Sequence, residues 1–305
     1  MEFYYRVLSY FNGTYTLKIL ANFFSLGYKI LPYLIISIFL SSFMSHYFRK
    51  QKINFAHSSE IVSVIVGGLI GLVSPLPTYV ALPVGISLAV AGTPFSAVLA
   101  FTIASPLMNP TVFYLTMSQL GWGMALARTV AALFLSLGGA VIFKIFTGWL
   151  EPDLDIRGEL NKKSKKRNRP YYIELYKTML FIGKYFTIAI CISSLVKSLV
   201  PPEFISNILG GGNVRVSMLS AIALGVPFYS CGGAAIPLIQ VLQDMGMHTG
   251  GALAFFIAGP ATKLETLYIY RSLLGLKLTL FYLGLTLAGS YLAGFIYITF
   301  FNLSV

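Results

Sequence analysis

Apolar residues in this chain run in long blocks, with neither the alternation of a strand nor the narrow stripe of a soluble helix. A bilayer-crossing helix needs about 20 apolar residues. Residues 23–45, 95–118, 122–148, 176–199, 249–272 and 276–301 each supply such a run. Two further blocks, 61–91 and 214–245, behave differently. As single helices of about 31 residues they would measure about 46 Å at 1.5 Å per residue, too long for a bilayer with ordinary tilt. Each is also cut in its middle, by Ser74-Pro-Leu-Pro77 and by Pro227-Phe-Tyr-Ser-Cys-Gly-Gly233. Proline removes a helix donor and glycine permits unusual backbone angles. The pattern predicts two helix–break–helix hairpins that enter the membrane and turn back. Irregular backbone at that depth survives only when packed in protein or facing a wet cavity.

The blocks repeat at an offset of 154 residues. Gly71 and Pro83 answer Gly225 and Pro237, Gly92 answers Gly246, and Pro106 answers Pro260. Leu99-Ala-Phe101 answers Leu253-Ala-Phe255, and Leu120-Gly121 answers Leu274-Gly275. Residues 71–114 and 225–268 share twelve identities in 44 ungapped positions. Matched Leu or Ala means little in an apolar chain, but matched Pro and Gly mark shared backbone geometry. Homologous halves with hydrophobic segments broken at matching places point to a secondary transporter whose site lies where the breaks meet.

Charge adds orientation. Only 10% of the 305 residues are charged, against about 25% in soluble domains, and mean hydropathy is +0.77. The net charge of +12 is densest in Asn161-Lys-Lys-Ser-Lys-Lys-Arg-Asn-Arg-Pro170, between the halves. Basic residues between spans mark a cytoplasmic loop, not a nucleic-acid surface. Arg49, Lys50 and Lys52 follow the first span, whereas the matching loop at 201–212 has no Lys or Arg and carries Glu203. Arg271 and Lys277 flank the turn at Leu274-Gly275, whereas near Leu120-Gly121 the first charge is Arg128. Basic loops therefore alternate, which predicts opposite orientation of the halves. The expected architecture is an all-α polytopic membrane protein with two inverted repeats, each of three spans plus a broken re-entrant hairpin. Five crossings per repeat, with both hairpin arms spanning, satisfies the alternation too. The first repeat covers 1–149, the charged cytoplasmic linker 150–170 and the second repeat 171–305. No signal-peptide pattern opens the chain, so the first span is expected to be retained.

Candidate chemistry gathers at the breaks. Pro75, Pro77 and Thr78 lie in the first; Ser230, Cys231, Gly232 and Gly233 lie in the second. Freed backbone groups and a polarisable sulfur would share one cavity there, while a small side chain in a tight turn is the competing reading of Cys231. Thr262, Lys263 and Glu265 follow Gly259-Pro260, and Asn109 aligns with Lys263. Ionisable residues at membrane depth are costly and mark function. They are read as substrate-binding, with Glu265 the candidate for proton coupling; a helix end with Lys263 snorkelling to the interface is the plainer alternative. Gly210-Gly-Gly212 lacks the Lys-Ser or Lys-Thr of a phosphate loop. His46, His57 and His248 are scattered, so no metal site and no cofactor is expected.

The motif Pro227-Phe-Tyr-Ser-Cys231-Gly, followed by Pro237, Leu253-Ala-Phe255 and Gly259-Pro-Ala-Thr-Lys263, resembles the predicted-permease family that includes the trivalent organoarsenical efflux permeases. Tyr229 stands where that family tends to carry a first cysteine, and Lys263 where it tends to carry asparagine. The resemblance implies a permease of the cell membrane, exporting a small solute or ion, with the lipid bilayer as its surroundings and no nucleic-acid partner. Oligomerisation stays open. The competing functions are an intramembrane lipid-modifying enzyme, with Glu265 or Asp244 as base but no visible nucleophile–base pair, and a non-transporting subunit of a membrane complex.

Overall fold

The computed structural model describes residues 15–50, 59–74, 76, 78–90, 92–148, 171–210, 213–225 and 235–302. Every regular element among them is a helix. In the first half these are α1 (Tyr15–Lys50), α2 (Glu60–Val73), α3 (Thr78–Val90), α4 (Phe95–Leu107) and α5 (Pro110–Ile145). In the second they are α6 (Tyr171–Leu199), α7 (Pro202–Leu209), α8 (Val214–Gly225), α9 (Ile236–Asp244), α10 (Thr249–Ala261) and α11 (Leu264–Asn302). The starts of α2, α4 and α5 recur in α8, α10 and α11 at the 154-residue offset.

Glycine fixes the corners at the same offset. Among the described residues, those with positive φ are Gly92 (99°), Gly121 (86°), Gly246 (102°) and Gly275 (83°). Gly92 ends α3 in a Schellman motif: its N–H donates to Ala89 O at 3.0 Å, and Thr93 N–H to Leu88 O at 3.0 Å. Gly246 does the same after α9, with Gly246 N–H to Gln243 O and Met247 N–H to Leu242 O, both 2.9 Å. These paired bonds satisfy carbonyls that a helix end would otherwise strand. Gly121 and Gly275 bend α5 and α11 at matching points, where the sequence places a turn.

The centre of the molecule is α4 and α10. Nearly every residue of each is buried, including Ser96 through Ser105 and Gly250 through Ala261. A helix that is apolar all round has no solvent face to present and goes inside. Small residues let neighbours approach: a Cβ on Gly71 of α2 would stand 2.8 Å from Phe101 O of α4. The helices α1, α5, α6, α8 and α11 carry many exposed large apolar side chains, among them Phe24, Phe39, Phe134, Tyr176 and Leu280. Two stretches among the described residues, Phe95–Ile145 and Thr266–Phe300, are long and apolar enough to cross a membrane, and a third if the bent pair α7 and α8 is one span.

Counterpart helices pack on one another: α1 on α6, α4 on α10, and α5 on α11. Asn22, near the start of α1, donates from Nδ2 to Ser198 Oγ near the end of α6 at 2.9 Å. Leu135 packs against Gly289, and Gly139 against Leu285. Rising residue number in one helix meets falling number in the other, so each of these two counterpart pairs runs antiparallel.

One expectation changes. The blocks 95–118 and 249–272 are not continuous spans. Each is interrupted, between α4 and α5 at Met108–Asn109 and between α10 and α11 at Thr262–Lys263. Pro106 and Pro260 sit one turn upstream, still inside their helices.

Candidate functional site

The interruptions are built from local chemistry. At the first, Asn109 leaves helical geometry (φ −156°, ψ 167°) and its side chain accepts from Val112 N–H at 2.9 Å. Pro110 then opens α5, where its missing donor costs nothing. At the second, Thr262 is buried, and its hydroxyl donates to Ala258 O at 2.9 Å. Lys263 follows, half-buried, and its carbonyl accepts from Leu267 N–H at 2.9 Å. Asn109 and Lys263 thus occupy the same station in the two halves, each at the start of a long kinked helix.

The described residues of the first break, Ser74 and Leu76, are enclosed by protein. Ser74 is buried and its Oγ accepts from Leu76 N–H at 3.4 Å. Ser105 of α4 donates from Oγ to Leu76 O at 2.7 Å. The non-helical backbone is therefore tied to the central helix, as irregular backbone away from water must be. Pro75 and Pro77 lie outside the described residues, as do Ser230, Cys231, Gly232 and Gly233 of the second break. Thr78 begins α3 and Glu265 lies in the first turn of α11; the side chains of both are also outside the described residues.

The structure adds a polar group that the candidate residues did not include. Arg128, within α5 beyond the Gly121 kink, is only 1% exposed. Its Nη1 donates to Thr116 Oγ1 at 3.2 Å, and its guanidinium carbon lies 4.4 Å from the Phe256 ring centroid. Tyr270 and Tyr282 of α11, equally buried, stack at 4.1 Å. The sequence carries a signal for Arg128, a cation inside the apolar run 122–148.

Among the described residues no group of His, Cys, Asp and Glu is arranged to hold a metal ion. At the rim, Glu60 of α2 accepts from Ser96 Oγ at 2.8 Å and from Lys144 Nζ at 2.7 Å. The Lys144 hydrogen bond, then that of Ser96, holds the Glu60 carboxyl below its ordinary value.

A family model described as a predicted permease matches residues 16–299. The chain is 27% identical over 123 residues to the UPF0718 protein MJ0584 of Methanocaldococcus jannaschii, covering 40% of this chain and 33% of that protein. It is 24% identical over 224 residues to the UPF0718 protein YraQ of Escherichia coli, covering 70% and 61%. It is 22% identical over 284 residues to a Streptococcus mutans protein named as a putative two-component membrane permease complex subunit, covering 88% and 91%. The chain thus spans less than two thirds of the first two relatives. No solved structure matches it.

Proposed function

The chain belongs to this predicted-permease family, and we propose that it is a multi-pass secondary transporter of the plasma membrane, exporting a small solute. The family and the apolar helices make it a membrane protein, and the family supports transport over catalysis. In this reading the two halves lie inverted in the bilayer, as the alternating basic loops require. The antiparallel packing of α1 on α6 and of α5 on α11 supports it.

The carrying observation is the paired interruption at Asn109 and Lys263. Each joins a mostly buried central helix to a long kinked one, and each puts a polar side chain at the joint. Discontinuous helices placed this way present backbone groups and helix ends to a substrate near the midplane. The solute site is built from the breaks around Pro75–Pro77 and Ser230–Gly233 together with Asn109, Thr262, Lys263 and Glu265, and Glu265 is the group that couples transport to protons. Flux into proteoliposomes tests this. Lys263→Met and Glu265→Gln are expected to abolish flux with folding intact. Normal rate and normal pH dependence in both would place the site elsewhere.

A second reading has one observation behind it: the Streptococcus mutans relative is named as a complex subunit. If this chain likewise works with a partner, the purified chain alone is inactive in proteoliposomes, and activity returns when the partner is co-expressed.

A further inference from the structure

Between α6 and α8 the chain turns twice in a short distance. Pro201 and Pro202 end α6 and start α7, since proline cannot continue a helix but suits its first position. The short helix α7 then stands at 111° to α8. Its side chains divide into three faces. Ile205 and Leu209 are buried, and Ser206 packs beside Gly246. Phe204 (57% exposed) and Ile208 (36% exposed) form an outward apolar stripe. Glu203 and Asn207 form an exposed polar one. At 3.6 residues per turn the three faces stand roughly a third of a turn apart. A surface helix in water needs only two faces, one apolar and packed, one polar. A third that is apolar and uncovered suits a helix laid on protein at a membrane surface.

The helix is fastened in this position. Leu209 O accepts from His248 N–H at 3.1 Å and from the Ser217 hydroxyl. Gly210 lies so close to Gly246 O that a Cβ on it would collide. Gly246 and His248 belong to the corner between α9 and α10, and Ser217 to α8. The stripe is not a demand of the repeat. At the 154-residue offset Phe204 and Ile208 answer Lys50 and Asn54, beside Arg49 and Lys52.

We propose that α7 lies flat in the boundary between phospholipid headgroups and acyl chains, with Phe204 and Ile208 as its lipid contacts, and that it holds the α9–α10 corner at the membrane surface. The proposal needs only that the chain is a membrane protein; neither transport nor inversion enters it. With α8 along the bilayer normal to within ordinary tilt, the 111° angle brings α7 close to the bilayer plane. Continuity supplies the occupant. Leu195 and Leu199 of α6, and Val216 and Leu219 of α8, are exposed and apolar, so the stripe extends the lipid-facing side of both neighbours. Arg215, in the first turn of α8, is exposed, and a cation at the end of a span reaches for the headgroups. The contact is with the boundary itself and not with an anionic headgroup. Residues 201–212 carry no Lys or Arg and one carboxylate, Glu203, whereas anionic lipid is held by basic clusters.

The test is a depth measurement on the full chain, with Cys191 and Cys231 replaced by alanine. Single cysteines at Glu203, Phe204, Asn207, Ile208, Val216 and Leu219 carry an environment-sensitive fluorophore in phosphatidylcholine vesicles. Nitroxides at the headgroup, at the top of the acyl chain or at its end report depth, and iodide reports water. Phe204→Cys and Ile208→Cys are expected to be quenched most from the top of the acyl chain. Their depths are expected to agree within ~2 Å, whereas an upright helix would separate them by ~6 Å. Val216→Cys and Leu219→Cys are expected to lie deeper, and Glu203→Cys and Asn207→Cys to be reached by iodide. Added phosphatidylglycerol is expected to leave these depths unchanged. Quenching of the stripe from the chain ends, or depths ~6 Å apart, would make α7 part of a span. Quenching by iodide would put the stripe in water. Shielding from both probes would mean that a second copy or another protein covers it. Depths that follow phosphatidylglycerol would mean headgroup binding. Each of these overturns the proposal. A second measurement keeps both cysteines. Phe204→Ser and Ile208→Ser together are expected to move the melting midpoint in detergent by at most ~2 °C, as for exposed positions. Ile205→Ser, on the buried face of the same helix, is expected to lower it by more. A double variant that melts as low as Ile205→Ser would show the stripe packed on protein and overturn the proposal as well.

Discussion

Where α2 begins, the first half is tied by charge; at the matching place the second half is tied by the absence of side chains. Glu60, Ser96 and Lys144 join α2, α4 and α5 through two hydrogen bonds. Their counterparts are Val214, Gly250 and Ile298. There α10 and α11 come together until a Cβ on Gly250 would stand 2.5 Å from Gly294 O. Small residues that let backbones touch are a principal means of holding helices in a bilayer. An exposed ion pair contributes little and is screened by salt. One helix arrangement is thus reached by two chemistries, and the difference separates what the fold requires from what is added to it. The two halves differ in the same way deeper in, where the counterpart of Arg128 is Tyr282.

The largest effect should come from filling the close contact. Gly250→Ala is expected to destabilise by about 1–3 kcal/mol through overpacking against backbone, read as a lowered melting temperature in detergent. Ser96→Ala, at the counterpart position, should cost only about 1 kcal/mol, one ordinary hydrogen bond. Equal losses would break the comparison.

The kinks should behave alike where the ends do not. Gly121→Ala and Gly275→Ala each force a side chain to φ near +85°, at about 1–3 kcal/mol. Matching drops in melting temperature are expected; a drop in only one half would mean that the bends are not equivalent.

Smaller still is the cap. Asn109→Ala removes the acceptor for Val112 N–H and is expected to cost about 1 kcal/mol, measured in the same melt, with Asn109→Asp retaining most of the stability.

The smallest effect belongs to Glu60→Gln, at most about 1 kcal/mol. Because the Glu60 carboxyl is held below its ordinary 4.5, its contribution is fully present above that value and is lost as pH falls through the lower folded value. The wild-type advantage over Glu60→Gln should therefore hold at pH 6–7, fade below about pH 4.5, and shrink in high salt. An advantage that grows as pH falls would contradict the assignment.

Much of this was legible in the chain. Matched glycines announced the positive-φ corners at Gly92, Gly121, Gly246 and Gly275, because only that residue takes such angles without strain. Pro and Gly announced breaks in two apolar blocks. The interruptions after α4 and α10 were harder, since a cap needs only one polar residue in an apolar run. Asn109-Pro110 is a cap and first-turn signal, but Lys263-Leu264 is not, and only the offset ties them. Arg128 stands out in the sequence as a cation in an apolar run, but its burial does not. Periodicity reports which face is apolar, whereas its burial depends on Thr116 across a kink and Phe256 from the other half. Of the candidate residues, Asn109, Thr262 and Lys263 are placed at matching joints in the two halves.

We propose that the two halves are counterparts of opposite orientation. The most direct test is cysteine labelling in sealed, oriented vesicles, with Cys191 and Cys231 first replaced by alanine and single cysteines then set at Lys50 and Glu203. A membrane-impermeant maleimide is expected to reach Lys50→Cys only from the cytoplasmic side and Glu203→Cys only from the outer side. Labelling of both from the same side would contradict it.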